Sequence, residues 1–499
     1  MASLWTYGEG SAPDTEKPPP DLNGRRYDHV VLGGGLTGLT TALLLACAGR
    51  SVAVIEARHL GAGATGNTTG KVSLLQGTRL SSIGRHHGPE AVRHYVEANR
   101  QGHEWLLHYC ERHDVTVQRA TAVTYACSVT GAEKAGQEYR ACRAAGLDVF
   151  RASCPALPFP VRTAVHLADQ AQIDPLPLLR TVAQDIAGHG GTVAEGVRAR
   201  RVSLRGDDYR IDTEAGILSA GSVVLATGTP VLSRGGFFAR LSAHRSYAAA
   251  FTVSGVIPGD MYLGVDDPTV SLRTAPRPGH PDETVLLVGG FGHDVGRTQS
   301  ERRHADDLIA WTRHWFPSAQ PIARWSAQDY ESIDELPYVG PILPGDESLL
   351  VATGFAKWGM TNGVAAALAL SGILLGDRRP WADSLRPWRH AELASIPSAA
   401  RVNAKAGLSL LRGYARLIGT VDQHPREGSG SIGRDGIGPR GVCTVAGETS
   451  SVVPVCTHLF GALHWNDAEH TWDCPLHGSR FDRRGDVLEG PATRPLPPR

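Results

Sequence analysis

Two cysteines and two histidines near the C-terminus have the spacing of metal ligands. Cys456-x-His458 is followed, after fifteen residues, by Cys474-x-x-His477. Thiolate sulfur and imidazole nitrogen together can bind zinc or iron. With 8 cysteines and 21 histidines in 499 residues, this arrangement is expected by chance in only about 2 of 10,000 such chains. The spacing therefore predicts a metal site formed by these four side chains.

Two kinds of metal centre use this set of ligands. Zinc accepts two cysteines and two histidines in a tetrahedral site. A Rieske [2Fe-2S] cluster binds two thiolates on one iron and two imidazoles on the other. Common zinc fingers have two cysteines and then two histidines, whereas each segment here contributes one residue of each type. The order of the ligands therefore favours the cluster over zinc.

The neighbouring residues resemble a known family. CTHLF and CPLHGSRFD resemble the two cluster loops of Rieske proteins, and the resemblance continues through GDVLEGPA. It implies a small all-β Rieske domain at 419–499. High-potential members have an additional, disulfide-bonded cysteine in each loop, at positions that correspond here to Gly461 and Leu476. We therefore expect a potential in the lower part of the Rieske range, with Ser479 available to donate to a bridging sulfide.

A second motif lies near the N-terminus. An apolar strand at 30–32 leads into Gly33-x-Gly35-x-x-Gly38, an apolar helix follows, and a second strand ends at Glu56. Such glycines allow a tight turn, close approach of a pyrophosphate, and packing of helix on strand. The carboxylate of Glu56 is then placed to accept hydrogen bonds from a ribose. A GxGxxG pattern alone is weak evidence for a nucleotide site. The strand before the glycines, the helix after them and the acid at the end of the next strand together predict dinucleotide binding.

Further motifs follow in the order found in FAD-dependent oxidoreductases of the D-amino-acid oxidase (DAO) type. They are ATG at 226–228, YVGPI at 338–342 and ATGFAKWGMT at 352–361. The resemblance covers most of residues 27–380. It implies an α/β Rossmann-like FAD-binding domain with an interleaved α+β substrate domain, as in the DAO/glutathione-reductase-type fold. It also implies FAD as the cofactor and hydride transfer from an amine or amino acid to the flavin.

The resemblance suggests residues for the site. The expected FAD-binding residues are Gly33, Gly35, Gly38, Glu56, Thr65, Lys71, Thr227, Gly228, Gly354, Gly359, Met360 and Thr361. Lys71 and Lys357 are candidates for groups that face the flavin, with solvated or ion-paired lysines as the alternative. Lys357 or Arg245 could attract a substrate carboxylate. These three residues are the catalytic candidates.

The chain divides into several predicted segments. We expect an N-terminal arm at 1–26, a linker at 381–418 and the Rieske domain at 419–499. The FAD-binding domain is expected to combine 27–80, 165–235 and 345–380, and the substrate domain to combine 81–164 and 236–344. The 50 basic and 50 acidic residues balance, which argues against nucleic-acid or anionic-membrane partners. With no long apolar run and no signal peptide, the default expectation is a cytoplasmic protein.

Together these motifs predict an oxidoreductase. A flavin accepts two electrons as a hydride and an iron-sulfur cluster carries them singly, so one hypothesis is an FAD and Rieske enzyme that oxidises a C–N bond. An unidentified electron acceptor or donor would be its partner. The alternatives are a reductase that delivers electrons from NAD(P)H or a ferredoxin through the cluster, and a non-enzymatic redox sensor.

Overall fold

The computed structural model describes residues 2–6, 20–389, 392, 395–436 and 438–499. Within these ranges the helices are α1 (Leu36–Cys47), α2 (Arg79–His87), α3 (Pro89–Arg112), α4 (Val129–Ala144), α5 (Pro175–Gly188), α6 (Glu301–Trp315), α7 (Gly359–Leu375) and α8 (Ile396–Arg416). Most of the predicted N-terminal arm lies outside the described residues. None of the described helices combines the length and apolar character needed to cross a bilayer.

The strands alternate with these helices along the chain. In chain order they are β1 (Arg26–Leu32), β2 (Val52–Ile55), β3 (Lys71–Val72), β4 (Val117–Ala126), β5 (Phe150–Arg151), β6 (Thr163–Ile173), β7 (Thr192–Ala194), β8 (Ala199–Arg205), β9 (Asp208–Thr213), β10 (Gly216–Leu225), β11 (Leu241–Thr252), β12 (Met261–Gly264), β13 (Val270–Arg277), β14 (His280–Asp294), β15 (Gln320–Ser332), β16 (Tyr338–Pro341), β17 (Leu349–Thr353), β18 (Gly430–Arg434), β19 (Pro439–Val445), β20 (Glu448–Val452), β21 (His464–Asn466), β22 (Thr471–Asp473), β23 (Arg480–Phe481) and β24 (Val487–Glu489).

The first large sheet has a parallel centre. Its strands follow the order β16-β17-β10-β1-β2-β7, and β1 pairs in parallel with both β10 and β2. Strand β1 and helix α1 are buried along nearly their whole length, and α1 packs against α5 and α7. Parallel strands of this kind are apolar on both faces because helices cover them. The predicted Rossmann-like domain is confirmed.

The second large sheet is mostly antiparallel. Its strands follow the order β15-β11-β14-β13-β12-β4-β6-β3, with β5 paired to β6. Helix α6 packs against β11 and β14, and α4 packs against β4 and β6. Strand β11 pairs with both β14 and β15. This sheet is built from segments on either side of the nucleotide-binding strands, as the interleaved fold requires.

Four predicted boundaries need correction. The FAD-binding segment 165–235 was expected to include most of β6, but β6 pairs along its length with β4 in the second sheet. The substrate segment 236–344 was expected to include β16, which pairs with β17 in the first sheet. Both strands are largely buried, so their apolar pattern alone did not specify the sheet. The FAD-binding segment 27–80 was expected to include β3, which pairs with β6 in the second sheet. The predicted linker 381–418 contains the helix α8.

The C-terminal domain is small and made of strands. Its described residues form a three-stranded sheet, β18-β19-β20, and a four-stranded sheet, β21-β22-β23-β24. Trp472 and Phe481 are fully buried in its core, together with Cys443. This architecture agrees with the all-β domain expected from the resemblance.

The C-terminal domain docks on β11 through a buried ionic network. Arg245 is completely buried, and its guanidinium donates to Glu469 and lies 3.6 Å from Asp473. Arg480 binds the same two carboxylates from the other side. Although burial opposes ionisation of Glu469, the charges of Arg480 and Arg245 outweigh it and lower the pKa of that carboxyl. The network therefore joins charged side chains of the C-terminal domain to a charged side chain of β11.

This position corrects the expected role of Arg245. Besides Glu469, its Nη1 donates to Ser326 Oγ at 2.9 Å and its Nη2 donates to Gln328 Oε1 at 2.7 Å. A guanidinium engaged by these groups is not free to attract a substrate carboxylate. Its acid partners lie more than 200 residues away in the chain, so sequence spacing could not indicate them.

We expect Arg245→Met to destabilise the protein strongly. Methionine retains the length of the side chain but leaves Glu469 and Asp473 buried with a single arginine between them. Removal of one partner from a buried ion pair costs about 3–5 kcal/mol. Urea denaturation, followed by circular dichroism, measures the loss of unfolding free energy.

The matched control is Arg277→Met. Arg277 lies in the same sheet, on β13, and pairs with Glu283 where both side chains are partly exposed. An exposed pair contributes at most about 1 kcal/mol. Similar losses for the two variants would contradict the role assigned to the buried network.

Candidate functional site

The glycine motif forms a tight turn between β1 and α1. Gly33 has φ of +113°, and a Cβ there would lie 2.4 Å from Ala226 O. A Cβ at Gly38 would lie 2.0 Å from Gly33 O. The first position thus needs glycine for its backbone conformation and the third for the packing of the helix against the turn. Gly35 precedes α1 as its N-cap, so the free amides of this helix face a potential phosphate site.

A cavity of about 440 Å³ opens at this turn. It is lined by eleven of the residues that the sequence suggested, namely Gly33, Gly35, Glu56, Thr65, Lys71, Thr227, Gly228, Gly354, Lys357, Gly359 and Met360. They come from distant parts of the chain, and the fold brings them to one cavity. A cavity that begins at a phosphate-binding turn and continues between the two sheets fits an extended dinucleotide.

Glu56 and Thr65 frame the start of the cavity. Glu56 Oε2 accepts a hydrogen bond from Gly34 N at 2.7 Å, and its Oε1 accepts one from Arg58 N at 2.8 Å. These bonds fix the carboxylate at the end of β2. Thr65 Oγ1 accepts a hydrogen bond from Leu36 N at 3.2 Å. The Thr65 hydroxyl therefore lies at the N-terminus of α1, beside the amides that would bind a pyrophosphate.

Lys71 lies in the cavity wall without a carboxylate partner in any of its hydrogen bonds or ion pairs among the described residues. Its Nζ donates to Tyr262 O at 2.6 Å and to Ser271 Oγ at 2.7 Å. Burial, assisted by the positive charge of Arg273, holds the pKa of Lys71 well below its usual range. The direction of this shift favours the uncharged amine, which can accept a proton, so Lys71 is a candidate base beside the cavity.

Lys357 lies in the loop before α7 and differs in exposure. Its side chain is exposed, and its backbone has φ of +70°. Its backbone N donates to Asp329 Oδ2. Burial raises the pKa of the Asp329 carboxyl. The loop therefore holds Lys357 at the mouth of the cavity, where a cation can meet an incoming anion.

Two of the expected FAD-binding residues, Gly38 and Thr361, have a structural role within the protein. Gly38 permits the packing of α1 described above. Thr361 is buried in α7, where its hydroxyl donates to Asn99 Oδ1 at 2.6 Å and accepts from Gln76 Nε2 at 3.1 Å. Thr361 thus fixes the N-terminal turn of α7, and its neighbours Gly359 and Met360 line the cavity.

The four predicted cluster ligands lie in two loops of the C-terminal domain, which bring the two cysteines together and the two histidines together. The Cys456 and Cys474 side chains are each about 1% exposed, and hydrogen bonding to Cys474 lowers the pKa of Cys456 to about 7. The rings of His458 and His477 lie 5.3 Å apart at 82°. His458 Nδ1 is buried and has no hydrogen-bond partner among the described residues. A pair of thiols and a pair of imidazoles, each pair drawn from the same two loops, match the ligand types of a Rieske cluster.

Gly461 and Leu476, which correspond to the disulfide-bonded cysteines of high-potential members, lie against each other. A Cβ at Gly461 would lie 2.9 Å from both Leu476 Cδ1 and Cys474 Sγ. Ser479 is fully buried, and its hydroxyl helps to lower the pKa of Cys456. The two loops therefore pack closely without a disulfide, and Ser479 supplies a hydrogen bond to the thiolate side.

The histidine side of the cluster site faces the rest of the chain. The ring of Phe238 lies 5.3 Å from that of His477 and 6.2 Å from that of His458. In the same loop, Gly478 O accepts a hydrogen bond from Gln328 Nε2 at 2.7 Å. Gln328 and the nearby Tyr330 also line the cavity. The same wall residues therefore contact both candidate cofactor sites.

Sequence reasoning missed this shared wall. Gln328, Asp329 and Tyr330 belong to β15 and have no motif that would mark them. From the C-terminal domain, Leu488, Glu489, Gly490 and Thr493 also line the cavity. Leu488, Glu489 and Gly490 belong to the Rieske-like GDVLEGPA and Thr493 follows it, but this resemblance did not indicate a contact with the nucleotide site.

Comparisons with known proteins agree with these two sites. The FAD dependent oxidoreductase family (DAO) matches residues 28–372, and the Rieske [2Fe-2S] domain family matches residues 437–498. The putative Rieske 2Fe-2S iron-sulfur protein YhfW of Bacillus subtilis is 31% identical over 480 residues, which are 94% of this chain and 92% of that protein. The cofactors implied by the two families are FAD and a Rieske-type [2Fe-2S] cluster.

Solved structures of similar fold cover about three quarters of the chain. Glycine oxidase from Geobacillus kaustophilus has a TM-score of 0.62 at 18% identity, over 73% of this chain and 99% of its own. L-proline dehydrogenase from P. horikoshii has a TM-score of 0.60 at 17% identity, over 73% and 98%. The chain belongs to the DAO family of FAD-dependent oxidoreductases and has a C-terminal Rieske [2Fe-2S] domain.

Proposed function

We propose that this protein oxidises the C–N bond of an amine or amino acid and that the electrons leave through the Rieske cluster. The observation that carries the proposal is the shared wall. Gln328 binds the second cluster loop through Gly478 O and lines the nucleotide cavity, and both cluster histidines face Phe238 on the same side. The proteins of similar fold include a glycine oxidase, an L-proline dehydrogenase and an L-amino acid deaminase, which supports the substrate class.

Side chains of the cavity supply the remaining chemistry. When bound, FAD accepts a hydride from carbon and the cluster carries single electrons. Lys71 Nζ accepts the proton that leaves the substrate nitrogen, since its lowered pKa favours the uncharged amine. Lys357 attracts a carboxylate at the mouth of the cavity. The buried docking of the C-terminal domain excludes water from the wall that the two cofactor sites share.

The route of the electrons is tested with cluster-ligand variants. We expect anaerobic mixing with the correct amine or amino acid to bleach the flavin first and then to produce the EPR signal of the reduced cluster. In Cys474→Ser and His477→Ala, flavin bleaching continues at the same rate but steady-state reduction of a one-electron acceptor is lost. Rapid mixing and EPR spectroscopy measure the two steps.

Two results would contradict this route. Normal turnover in both ligand variants would give the cluster a structural role. Bleaching by NADPH, with no bleaching by a panel of amines and amino acids, would favour the reductase. Flavin and iron content is measured in each preparation, so that loss of a cofactor is not mistaken for loss of transfer.

The role of Lys71 is tested by Lys71→Met. General base catalysis typically contributes 10²–10⁴-fold, so we expect flavin reduction to slow by about 10²-fold while FAD remains bound. The wild-type rate should fall as the pH drops through the lowered pKa of Lys71, because the amine must be uncharged. That part of the pH profile should disappear in the variant.

Lys134→Met is the control for this substitution. Lys134 is an exposed lysine on α4, and its loss should leave the rate and the pH profile unchanged. If Lys71→Met reduces flavin as fast as the wild-type protein, Lys71 has a purely structural role.

The missing disulfide predicts a low cluster potential. Because Gly461 and Leu476 take the two cysteine positions, we expect a midpoint of roughly −150 to +100 mV, in the lower part of the Rieske range. Protein-film voltammetry measures it directly. A midpoint above about +200 mV would show that other features of the loops compensate for the disulfide.

A further inference from the structure

A segment of the Rieske domain crosses the cavity of the other domain. We call this segment, residues 487–493, the strap. Leu488, Glu489, Gly490 and Thr493 of the strap line the same cavity as the glycine motif. The strap therefore forms part of the wall that a bound dinucleotide meets.

The strap is attached on both sides of the cavity. At its start, Arg198 Nη2 donates to Val487 O at 2.8 Å. Further along, Tyr330 Oη donates to Gly490 O at 3.4 Å. Arg198 precedes β8 of the first sheet and Tyr330 belongs to β15 of the second. The strap thus spans the gap between the two large sheets.

The neighbours of the strap indicate which part of the cavity it covers. Arg198 follows Val197, whose backbone N donates to Glu56 O at 2.9 Å. Glu56 is the acid at the end of β2 that is expected to bind a ribose. A Cβ at Gly490 would lie 3.4 Å from Val231 Cγ1, a residue that follows the ATG segment at 226–228. The strap therefore lies beside the adenosine half of the expected cofactor.

The strap is also joined to the second cluster loop. Ala492 N donates to Ser479 Oγ at 3.0 Å, and Glu489 Oε1 accepts from Arg480 Nη1 at 3.0 Å. Ser479 and Arg480 follow His477 within the second cluster loop, CPLHGSRFD. A shift of the docked Rieske domain would move the strap with it.

We propose that the strap is part of the FAD-binding site and closes the cavity over the adenosine half of FAD. FAD then dissociates only when the strap, and with it the Rieske domain, moves away. Retention of FAD depends in this way on a domain that does not itself contain a nucleotide-binding motif.

The test uses the full-length protein with its cluster and compares two matched variants. In Thr493→Trp a bulky ring is added to the strap where it lines the cavity. In Thr449→Trp the same change is made at an exposed position of β20 in the same domain. We expect the dissociation constant for FAD, measured by flavin fluorescence, to rise at least tenfold in the first variant and less than twofold in the second. Iron and sulfide content confirms that both retain the cluster.

A second measurement needs no variant. Hydrogen exchange of the wild-type protein is compared after removal of FAD and after its addition. Peptides that cover 487–493 should gain protection on FAD binding, whereas peptides that cover 447–452 should not. Unchanged affinity in a well-folded Thr493→Trp, or equal exchange of the strap with and without FAD, would overturn the proposal.

Discussion

The buried pairing of Arg245 with Glu469 is the interaction on which the relation between the two cofactor sites depends. A guanidinium on a strand of one domain meets carboxylates of the other where Arg245 and Asp473 are buried and Glu469 is mostly buried. Such a pair gives little net stability, because desolvation offsets most of the attraction. A docking orientation that kept Arg245 buried but separated it from Glu469 and Asp473 would leave its charge without a carboxylate partner. We therefore attribute to the network the selection of one orientation for the Rieske domain.

That orientation determines which side of the cluster site faces the flavin cavity. The thiol ligands lie in the domain core, where Cys456 and Cys474 are almost fully buried. The imidazoles of His458 and His477 instead face Phe238. These residues would hold the cluster with its two imidazole ligands towards Phe238. The Phe238 ring lies against both imidazoles, and the Gln328 side chain donates a hydrogen bond to the loop that holds His477.

The sequence allowed the local parts of both sites to be predicted. The predicted cluster ligands lie within two short loops, and their spacing in the sequence was enough to predict a common metal site. They are Cys456, His458, Cys474 and His477. The glycine pattern of the turn at Gly33 is likewise local, although the backbone that it packs against, at Ala226, is distant in the chain. The role of Arg245 could not be predicted, because its partners belong to another domain, far along the chain. The strap and the wall formed by β15 could not be predicted either, because their contacts also lie far along the chain. Their residues are of ordinary types and have no periodic signal.

Both cofactor sites belong to one chain, and the wall of β15 holds them together. Two separate proteins would have to meet by diffusion before each exchange, and their rate would fall on dilution. Here the two cofactor sites are held at a fixed effective concentration. Under the proposed function, transfer between them would be a first-order event, with the same rate per molecule in a crowded cell and in a dilute cuvette.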